Sequence, residues 1–182
     1  MTVTSPNAMV NYENSVYRGL KRFITEELPS GDRITVIKGQ QNRNSLPKPP
    51  LVVMQYLYDH AYQTNEHFYT DKSLIIAHHS ILTVQLDFYG SEAMPAVTMS
   101  RIFETLIHDQ YGFECFQKYS LGFLPLYCEA PHNAAFTDQS SQYADRWTVI
   151  LKIDHAPQVC VKQDFAKSLE VTPYPLPGKE SN

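Results

Sequence analysis

Histidine and carboxylate residues gather in one polar stretch of the chain, and these residue types could bind a metal ion. His60 and His67 lie seven residues apart, with Asp59, Glu66 and Asp71 close by in sequence. Imidazole and carboxylate groups are both ordinary metal ligands. The spacing matches no established ligand pattern, however, so a polar surface loop is the favoured interpretation of this stretch.

A second histidine pair and three cysteines are the other candidate ligands. His78-His79 lies inside a long segment with the pattern of a strand, where neighbouring side chains point to opposite faces and cannot share a metal ion. Cys115, Cys128 and Cys160 are widely spaced and form no C-x-x-C pair. With no secretion signal in the sequence, we expect reduced and mostly buried thiols.

The sequence also lacks the short motifs that organise common catalytic sites. It contains no G-x-S-x-G, H-E-x-x-H or G-x-x-x-x-G-K-[ST] pattern. It has only 7 glycines, and no two lie close enough to build a loop around a phosphate group. A serine, a histidine and an aspartate can be chosen from any chain of this length, so their presence predicts nothing. We therefore predict no enzyme, no metal and no cofactor.

The composition is typical of one globular domain with a modest amount of charge. The 182 residues are 43% hydrophobic and 19% charged, which is enough apolar material for a core. The 12 tyrosines fit either a β-rich core or surfaces that bind partners, because a tyrosine ring is apolar while its hydroxyl is polar.

The net charge of −4 excludes some classes of partner. No basic cluster of the kind that neutralises phosphates occurs, so tight nucleic-acid binding is disfavoured. A mildly acidic surface would still suit a passage through which DNA slides. The N-terminal sequence MTVTSPNAMVNYENS has neither a basic nor an apolar segment, so we predict no signal peptide. No apolar run approaches the ~20 residues of a membrane helix, so we predict no membrane partner.

Two segments have the periodicity of amphipathic helices. The first is predicted over residues 11–27, with Asn11 as its N-cap. The second is predicted over Ser91–Asp109, with Ser91 as its N-cap and Gly112 as the residue after its C-cap. The predicted core faces consist of Val16, Leu20, Phe23, Ile24 and Leu28 in the first helix, and of Ala96, Met99, Phe103, Leu106 and Ile107 in the second.

Strands are predicted where apolar residues alternate or run together, at residues 34–38, 51–58, 73–89, 147–154 and 159–163. Residues 73–89 exceed the usual ~5–6 residues of a strand. This strand either extends beyond its own sheet or bends at His78-His79-Ser80. Residues 60–71 are predicted to be a polar turn or flap. Residues 116–128 are predicted to be a loop with one short strand, and residues 130–144 a polar loop.

These elements predict an α+β fold with a mainly antiparallel sheet, because most strands follow one another without an intervening helix. Two helices pack on one face, a long strand or hairpin extends the sheet, and a Pro-rich tail ends the chain. We predict a flexible N-terminus at residues 1–10, a single α+β domain at 11–165 and an extended tail at 166–182. Long Pro-rich loops are usually functional, so we expect residues 41–50 and 172–178 to contact partners.

Three stretches, taken in order, resemble a known family. They are Gln40-Gln41-Asn42-Arg43 ahead of the strand at 51–56, the strand end Val84–Gly90 followed at once by the second helix, and Tyr143–Trp147 opening the late strand. This order of elements is similar to the tail terminator and neck terminator proteins of long-tailed bacteriophages. The resemblance covers about residues 11–155, and the tail after Thr172 lies outside it.

The resemblance implies a structural virion protein that forms a homo-hexamer, assembled in the host cytoplasm. Such a ring caps the tail tube protein, ends tail polymerisation and joins the tail to the stopper or connector protein under the capsid. In contractile phages it also meets the sheath protein. Genomic DNA passes through the lumen without specific binding. The alternatives are another connector component, such as an adaptor, stopper or minor tail protein, and a small enzyme with an unrecognised site.

Six residues are candidate assembly contacts: Gln41, Asn42, Arg43, Asp87, Arg146 and Tyr174. Asp87 lies on the wetter face of the long predicted strand near its end, and Arg146 begins the late strand. Their opposite charges are expected to pair within or between subunits. The alternative interpretation is two unrelated surface charges.

Overall fold

The structure is a computed structural model that describes residues 2–3, 6–39, 46–70, 73–119, 122–134, 136–137 and 143–162. Within these ranges it contains three α-helices: α1 (Pro6–Glu27), α2 (Ala96–Ile107) and α3 (Gln110–Tyr119). The strands are β1 (Thr2–Val3), β2 (Thr35–Lys38), β3 (Leu51–Ala61), β4 (Glu66–Thr70), β5 (Ser73–Ala77), β6 (Ser80–Tyr89), β7 (Phe123–Cys128), β8 (His132–Asn133), β9 (Phe136–Thr137), β10 (Tyr143–Ala144), β11 (Arg146–His155) and β12 (Gln158–Lys162).

The largest sheet, here called the body sheet, has the strand order β2-β3-β6-β11-β7, with β8 also paired to β11. The central strands pair antiparallel, whereas β2 runs parallel to β3. The parallel pair is possible because a long connection separates the two strands. The predicted α+β class and mainly antiparallel sheet are confirmed.

All three helices cover one face of the body sheet. The alternating apolar residues of β6 and β11 point to this face, where Leu86, Phe88 and Leu151 are fully buried. Phe23 of α1 contacts Phe103 of α2 and Phe116 of α3, with ring centroids 5.8 and 5.0 Å apart. The core therefore lies between this sheet face and the helices, and α3 is added to the two predicted helices.

The predicted N-caps of both helices are wrong. Asn11 lies inside α1, which begins at Pro6, where the missing N–H of proline costs nothing in the first turn. Ser91 lies before α2 in a tight turn, in which its backbone exchanges hydrogen bonds with Met94. The helix begins only at Ala96.

The third helix is a correction to the loop predicted after residue 116. Gly112 was expected to follow a C-cap, but it is buried inside α3. A Cβ at this position would overlap the backbone oxygen of Leu106, so the close approach of α2 and α3 requires glycine here. Cys115, Phe116 and Tyr119 form the buried stripe of α3. The short strand that was expected in the same region is β7.

The long predicted strand is two strands that belong to different sheets. It breaks at His78-His79, so the bent alternative is confirmed: β6 lies in the body sheet, and β5 lies in a second sheet of order β1-β12-β5-β4. We call this second sheet the arm. Its strands β4, β5 and β12 continue β3, β6 and β11 of the body sheet in the same order.

The remaining segments contain more strand than the sequence predicted. Residues 60–71 were expected to form a turn or flap, but β3 continues to Ala61 and β4 forms a hairpin with β5. Residues 130–144 were expected to form a loop, but they contain the short strands β8, β9 and β10. The late strands agree closely with the prediction.

Candidate assembly surfaces

The structure brings together two of the six candidate contact residues. Asp87 in β6 and Arg146 at the start of β11 lie side by side on the face of the body sheet that is opposite the helices. We call this face the open face. Gln41, Asn42, Arg43 and Tyr174 lie outside the described residues.

Asp87 is the centre of a hydrogen-bond network on the open face. Arg146 Nη2 donates to its Oδ2 atom at 2.8 Å, and Thr148 Oγ1 donates to its Oδ1 atom at 2.6 Å. Gln85 Nε2 lies 3.1 and 2.9 Å from the two carboxylate oxygens. The carboxylate is buried, and these donors compensate for the water that it has lost.

A second polar row lies further along the open face. Lys152 Nζ donates to Tyr58 Oη and to Thr83 Oγ1, both at 3.0 Å. The hydrogen bond from Lys152 lowers the pKa of Tyr58 from its ordinary value, because a nearby cation stabilises the phenolate. The polar side chains of these two rows are therefore held in place by hydrogen bonds to one another.

Asp145 connects the start of β11 to α2, a role that the sequence did not reveal. Its Oδ2 atom accepts a hydrogen bond from the backbone nitrogen of Ala96 at 2.7 Å and so caps α2. Its backbone oxygen accepts from Gly90 at 2.9 Å. A Cβ on Gly90 would overlap both Asp145 Oδ2 and the Ala96 nitrogen, so only glycine fits at this junction. The capping residue is 49 positions away from Ala96.

The arm exposes apolar side chains on both of its faces. Tyr69, Leu74 and Val161 form one row across the three strands, next to a row of His67, Ile76 and Val159. Phe68 lies on the other face beside Ile75. The exposed fractions are 48% for Phe68, 64% for Tyr69, 43% for Val159 and 43% for Val161. Apolar clusters of this kind usually mark a binding surface.

His78 and His79 contact polar side chains at the base of the arm, whereas His60 and His67 of the predicted polar loop lie in strands. His78 Nδ1 lies 2.8 Å from Asn65 Oδ1, and His79 Nε2 lies 3.2 Å from Glu66 Oε2. His60 lies in β3 and His67 lies in β4. Among the described residues, no group of three or more His, Cys, Asp or Glu side chains is placed to hold a metal ion.

A serine, a histidine and an aspartate do come together where the arm joins the body. His155 Nε2 lies 2.8 Å from Ser80 Oγ and 3.2 Å from both carboxylate oxygens of Asp59. A catalytic triad needs the serine and the carboxylate on different ring nitrogens, whereas here they share one. Ser80 is also fully buried, so no substrate can reach its hydroxyl. The cluster is a structural link between β3, β6 and β11.

An open groove of about 550 Å³ runs between α1 and β2. We call it the α1–β2 groove. Its floor includes Tyr17, which stacks on Tyr56 with ring centroids 4.3 Å apart. Three cationic residues line it: Arg18, Lys21 and Lys38.

The three cysteines are free thiols, as predicted. Cys115 and Cys128 are buried, and Cys160 is partly buried. Burial, together with a smaller effect of the nearby carboxylate of Glu104, raises the pKa of the Cys128 thiol to about 12. Cys128 is therefore a core residue with the chemistry of a small apolar side chain.

Comparison with known proteins identifies the family of the chain. In the described part of the chain, no helix is both long and apolar enough to span a bilayer. No curated protein matches the chain significantly. Residues 14–175 match the phage neck terminator protein family, so the match covers most of the chain and includes part of the Pro-rich tail. The chain therefore belongs to the phage neck terminator protein family.

Proposed function

We propose that this protein forms a hexameric ring in the virion neck. The ring caps the tail tube, ends tail polymerisation and joins the tail to the stopper or connector protein. Membership of the phage neck terminator family supports a structural role in joining the tail. To this structural role we add three proposals: the number of copies, the capping of the tube and the named partners.

The arm is the observation that carries this proposal. Apolar side chains are exposed on both of its faces, and a sheet of this composition is expected to be covered in the assembled particle. It projects from one end of the body sheet, because β4, β5 and β12 continue strands of the body beyond His79 and His155. Such an extension is expected in a subunit whose exposed apolar surface is covered by its neighbours.

Two unlike surfaces, the arm and the outer edge of β7, support a closed ring. Within the described ranges, no strand pairs with the outer edge of β7, and the arm exposes apolar side chains. A cyclic ring needs two different surfaces on each subunit, one for each neighbour. The arm and the edge of β7 meet this requirement and leave the edge of β2 free for another partner.

The charge of the chain fits a protein through which DNA passes. The net charge of −4 gives the ring an overall negative charge, which does not retain a phosphate backbone. We propose that the ring has no catalytic role. The Ser80–His155–Asp59 cluster, which most resembles an active site, has the wrong geometry for one.

Native mass spectrometry of the purified protein, alone and mixed with tail tubes, tests the number of copies. We expect a hexamer of the 20.9 kDa chain, formed either in solution or on the tube. Twelve copies would indicate an adaptor and would contradict the proposal, as would a monomer in the assembled particle. Electron cryomicroscopy of the virion tests the position, which we expect to be between the tail tube and the connector.

The Pro-rich tail is tested separately by deleting residues 172–182. We propose that this segment contacts a partner, so we expect loss of head–tail joining while the domain still folds. Joining is measured by counting complete particles in a complementation assay. Unchanged ring formation and unchanged joining would show that the segment is dispensable.

A further inference from the structure

We propose that the α1–β2 groove binds an extended acidic segment of another neck or tail protein, which adds to β2 as a further strand. The inference rests on the proposed role of the chain in the neck, because it assigns one partner surface of that role. The evidence comes from the backbone of β2, from the charges that line the groove and from the composition of the other edge strands.

The backbone of β2 has an open side that can accept a strand. The nitrogens of Thr35 and Gly39 donate to Pro50 and Met54, at 3.1 and 2.6 Å, so these residues face β3. Alternation along the strand turns the N–H and C=O groups of Val36 and Lys38 away from β3. Among the described residues, no strand pairs with this side. An extended peptide is a suitable partner for such an edge.

The side chains that line the groove are cationic and are not neutralised there. Lys38 Nζ contacts Asn14 Oδ1 and lies 4.2 Å from the centre of the Tyr17 ring, and both partners are neutral. Arg18 Nε donates to the backbone oxygen of Asn14 at 3.3 Å. The described lining contains Lys21 as well but no carboxylate.

Glu13 is the acidic residue of α1 beside the groove, but it does not line the groove. Burial, together with a smaller effect of Glu13, raises the pKa of the Tyr17 phenol. Glu13 lines the neighbouring pocket, together with Tyr56 and Leu57. The groove therefore keeps a local positive charge on a chain whose net charge is −4. Carboxylates on an incoming strand would pair with these cations in a partly enclosed site, where ion pairs are stronger than on a fully exposed surface.

The composition of the chain's other edge strands points to a different protein rather than to a second copy. Along β4 and β7, the only carboxylate is Glu66, and it already pairs with His79. The exposed residues of β7 include Leu126 and Tyr127, which are apolar. Neither strand offers the alternating carboxylates that would reach Arg18, Lys21 and Lys38. Since neither of these described edge strands supplies the segment, we assign it to a neighbouring protein in the neck or tail.

A synthetic peptide with alternating glutamate and valine tests the site directly. We expect the labelled peptide to bind the full-length protein in fluorescence anisotropy, and we expect the affinity to fall as salt rises. Hydrogen exchange should slow at the amides of Val36 and Lys38, because the added strand takes up these donors. A peptide of alternating lysine and valine is the control and should not bind. Equal binding of the two peptides, or no protection at these amides, would overturn the proposal.

Charge reversal tests the contribution of the groove. The double variant Arg18→Glu with Lys21→Glu should weaken binding of the acidic peptide by at least about tenfold, because two cations are lost and two repulsive charges are added. The matched control is Arg101→Glu with Lys118→Glu, which changes two exposed cations on α2 and α3 outside the groove. Unchanged affinity in the groove variant would overturn the proposal.

The oligomeric state separates this inference from the proposed function. In native mass spectrometry, the Arg18→Glu, Lys21→Glu variant should form the same ring as the wild type, while complementation shows loss of joining. Loss of the ring itself would mean that the groove is a contact between copies, which overturns the inference but leaves the ring intact as a proposal. A wild-type chain that forms no ring would contradict the proposed function, whatever the peptide does.

Discussion

Asp87 and Arg146 are 59 residues apart in sequence, yet they pair at 2.8 Å across neighbouring strands of the body sheet. Arg146 lies opposite Tyr89 in the register, so it reaches Asp87 diagonally, while Thr148 lies directly opposite Asp87. The carboxylate therefore holds the beginning of β11 and the end of β6 together. Because both residues belong to one chain, the pair first contributes to the stability of the subunit.

Replacement of Asp87 by alanine should lower the free energy of unfolding by about 2–3 kcal/mol. Removing one partner of a buried pair leaves the other without compensation, and Arg146 is partly exposed, so we place the loss below that of a fully buried pair. Thr148→Val is the control and should cost only about 1 kcal/mol, since it removes a single hydrogen bond. Urea denaturation measures both changes. Equal losses would show that Arg146 contributes nothing to the network.

Gly90 and Gly122 are glycine for different physical reasons, so their substitutions by alanine can be compared. Alanine at Gly90 would overlap Asp145 Oδ2 and the start of α2, and we expect a loss of about 3 kcal/mol from crowding and the lost helix cap. Gly122 has a φ of +77° and open space around it, so alanine there should cost only about 1–2 kcal/mol of backbone strain. Thermal unfolding measures the loss of stability in both variants. A smaller loss at Gly90 than at Gly122 would contradict this account of the junction.

The buried thiol of Cys128 gives the protein a predictable response to alkaline pH. Its pKa is raised from 9.0 to about 12 in the folded state. Above pH 9 the thiol of the unfolded chain ionises while the folded chain keeps its proton, so stability falls as pH rises through this window. We expect the free energy of unfolding of wild type to decline more steeply between pH 9 and pH 11 than that of Cys128→Ala. Parallel curves for the two proteins would refute this prediction.

The apolar surface of the arm should matter for assembly and not for folding. Phe68 and Tyr69 are both largely exposed on β4, so replacing them with threonine should change the free energy of unfolding by less than about 0.5 kcal/mol. We expect the same variant to lose incorporation into particles, because the surface buried on assembly is lost. Incorporation is measured by quantifying the protein in purified virions. The exchange Phe68→Tyr with Tyr69→Phe keeps the aromatic surface and should incorporate normally.

Local periodicity predicted the parts of the fold that are determined by neighbours in sequence. The core faces of α1 and α2 and the alternation of β11 were predicted correctly, because one face of each element is buried against the core. The cap of α2 by Asp145 could not be predicted, because it depends on a residue in another element. The sequence predicts Gly112 as the residue after the C-cap of α2, because glycine is favoured there, and only the packing of α2 against α3 explains its place in α3.

The same distinction, between features set by nearby sequence and features set by packing of distant elements, applies to the candidate contacts. Opposite charges at two strand ends indicated that Asp87 and Arg146 could pair, and the sheet register shows how they do so within one chain. Whether either residue also contacts another subunit stays a prediction, as do the contacts expected of residues 41–43 and Tyr174. The α1–β2 groove was not expected, because Lys38 is brought beside Arg18 and Lys21 only when α1 packs against β2.

Side chains alternate between the two faces of the arm, and this alternation determines which insertions keep each side chain on its present face. Two residues inserted into each of β4 and β5 would move the hairpin tip outward by about 7 Å and leave every side chain on its present face. A one-residue insertion would instead move every side chain beyond it in that strand to the opposite face of the arm. Because this growth takes place beyond His78-His79, it leaves the packing of the body unaltered. Insertions of an even number of residues can therefore lengthen the arm while the core remains the same.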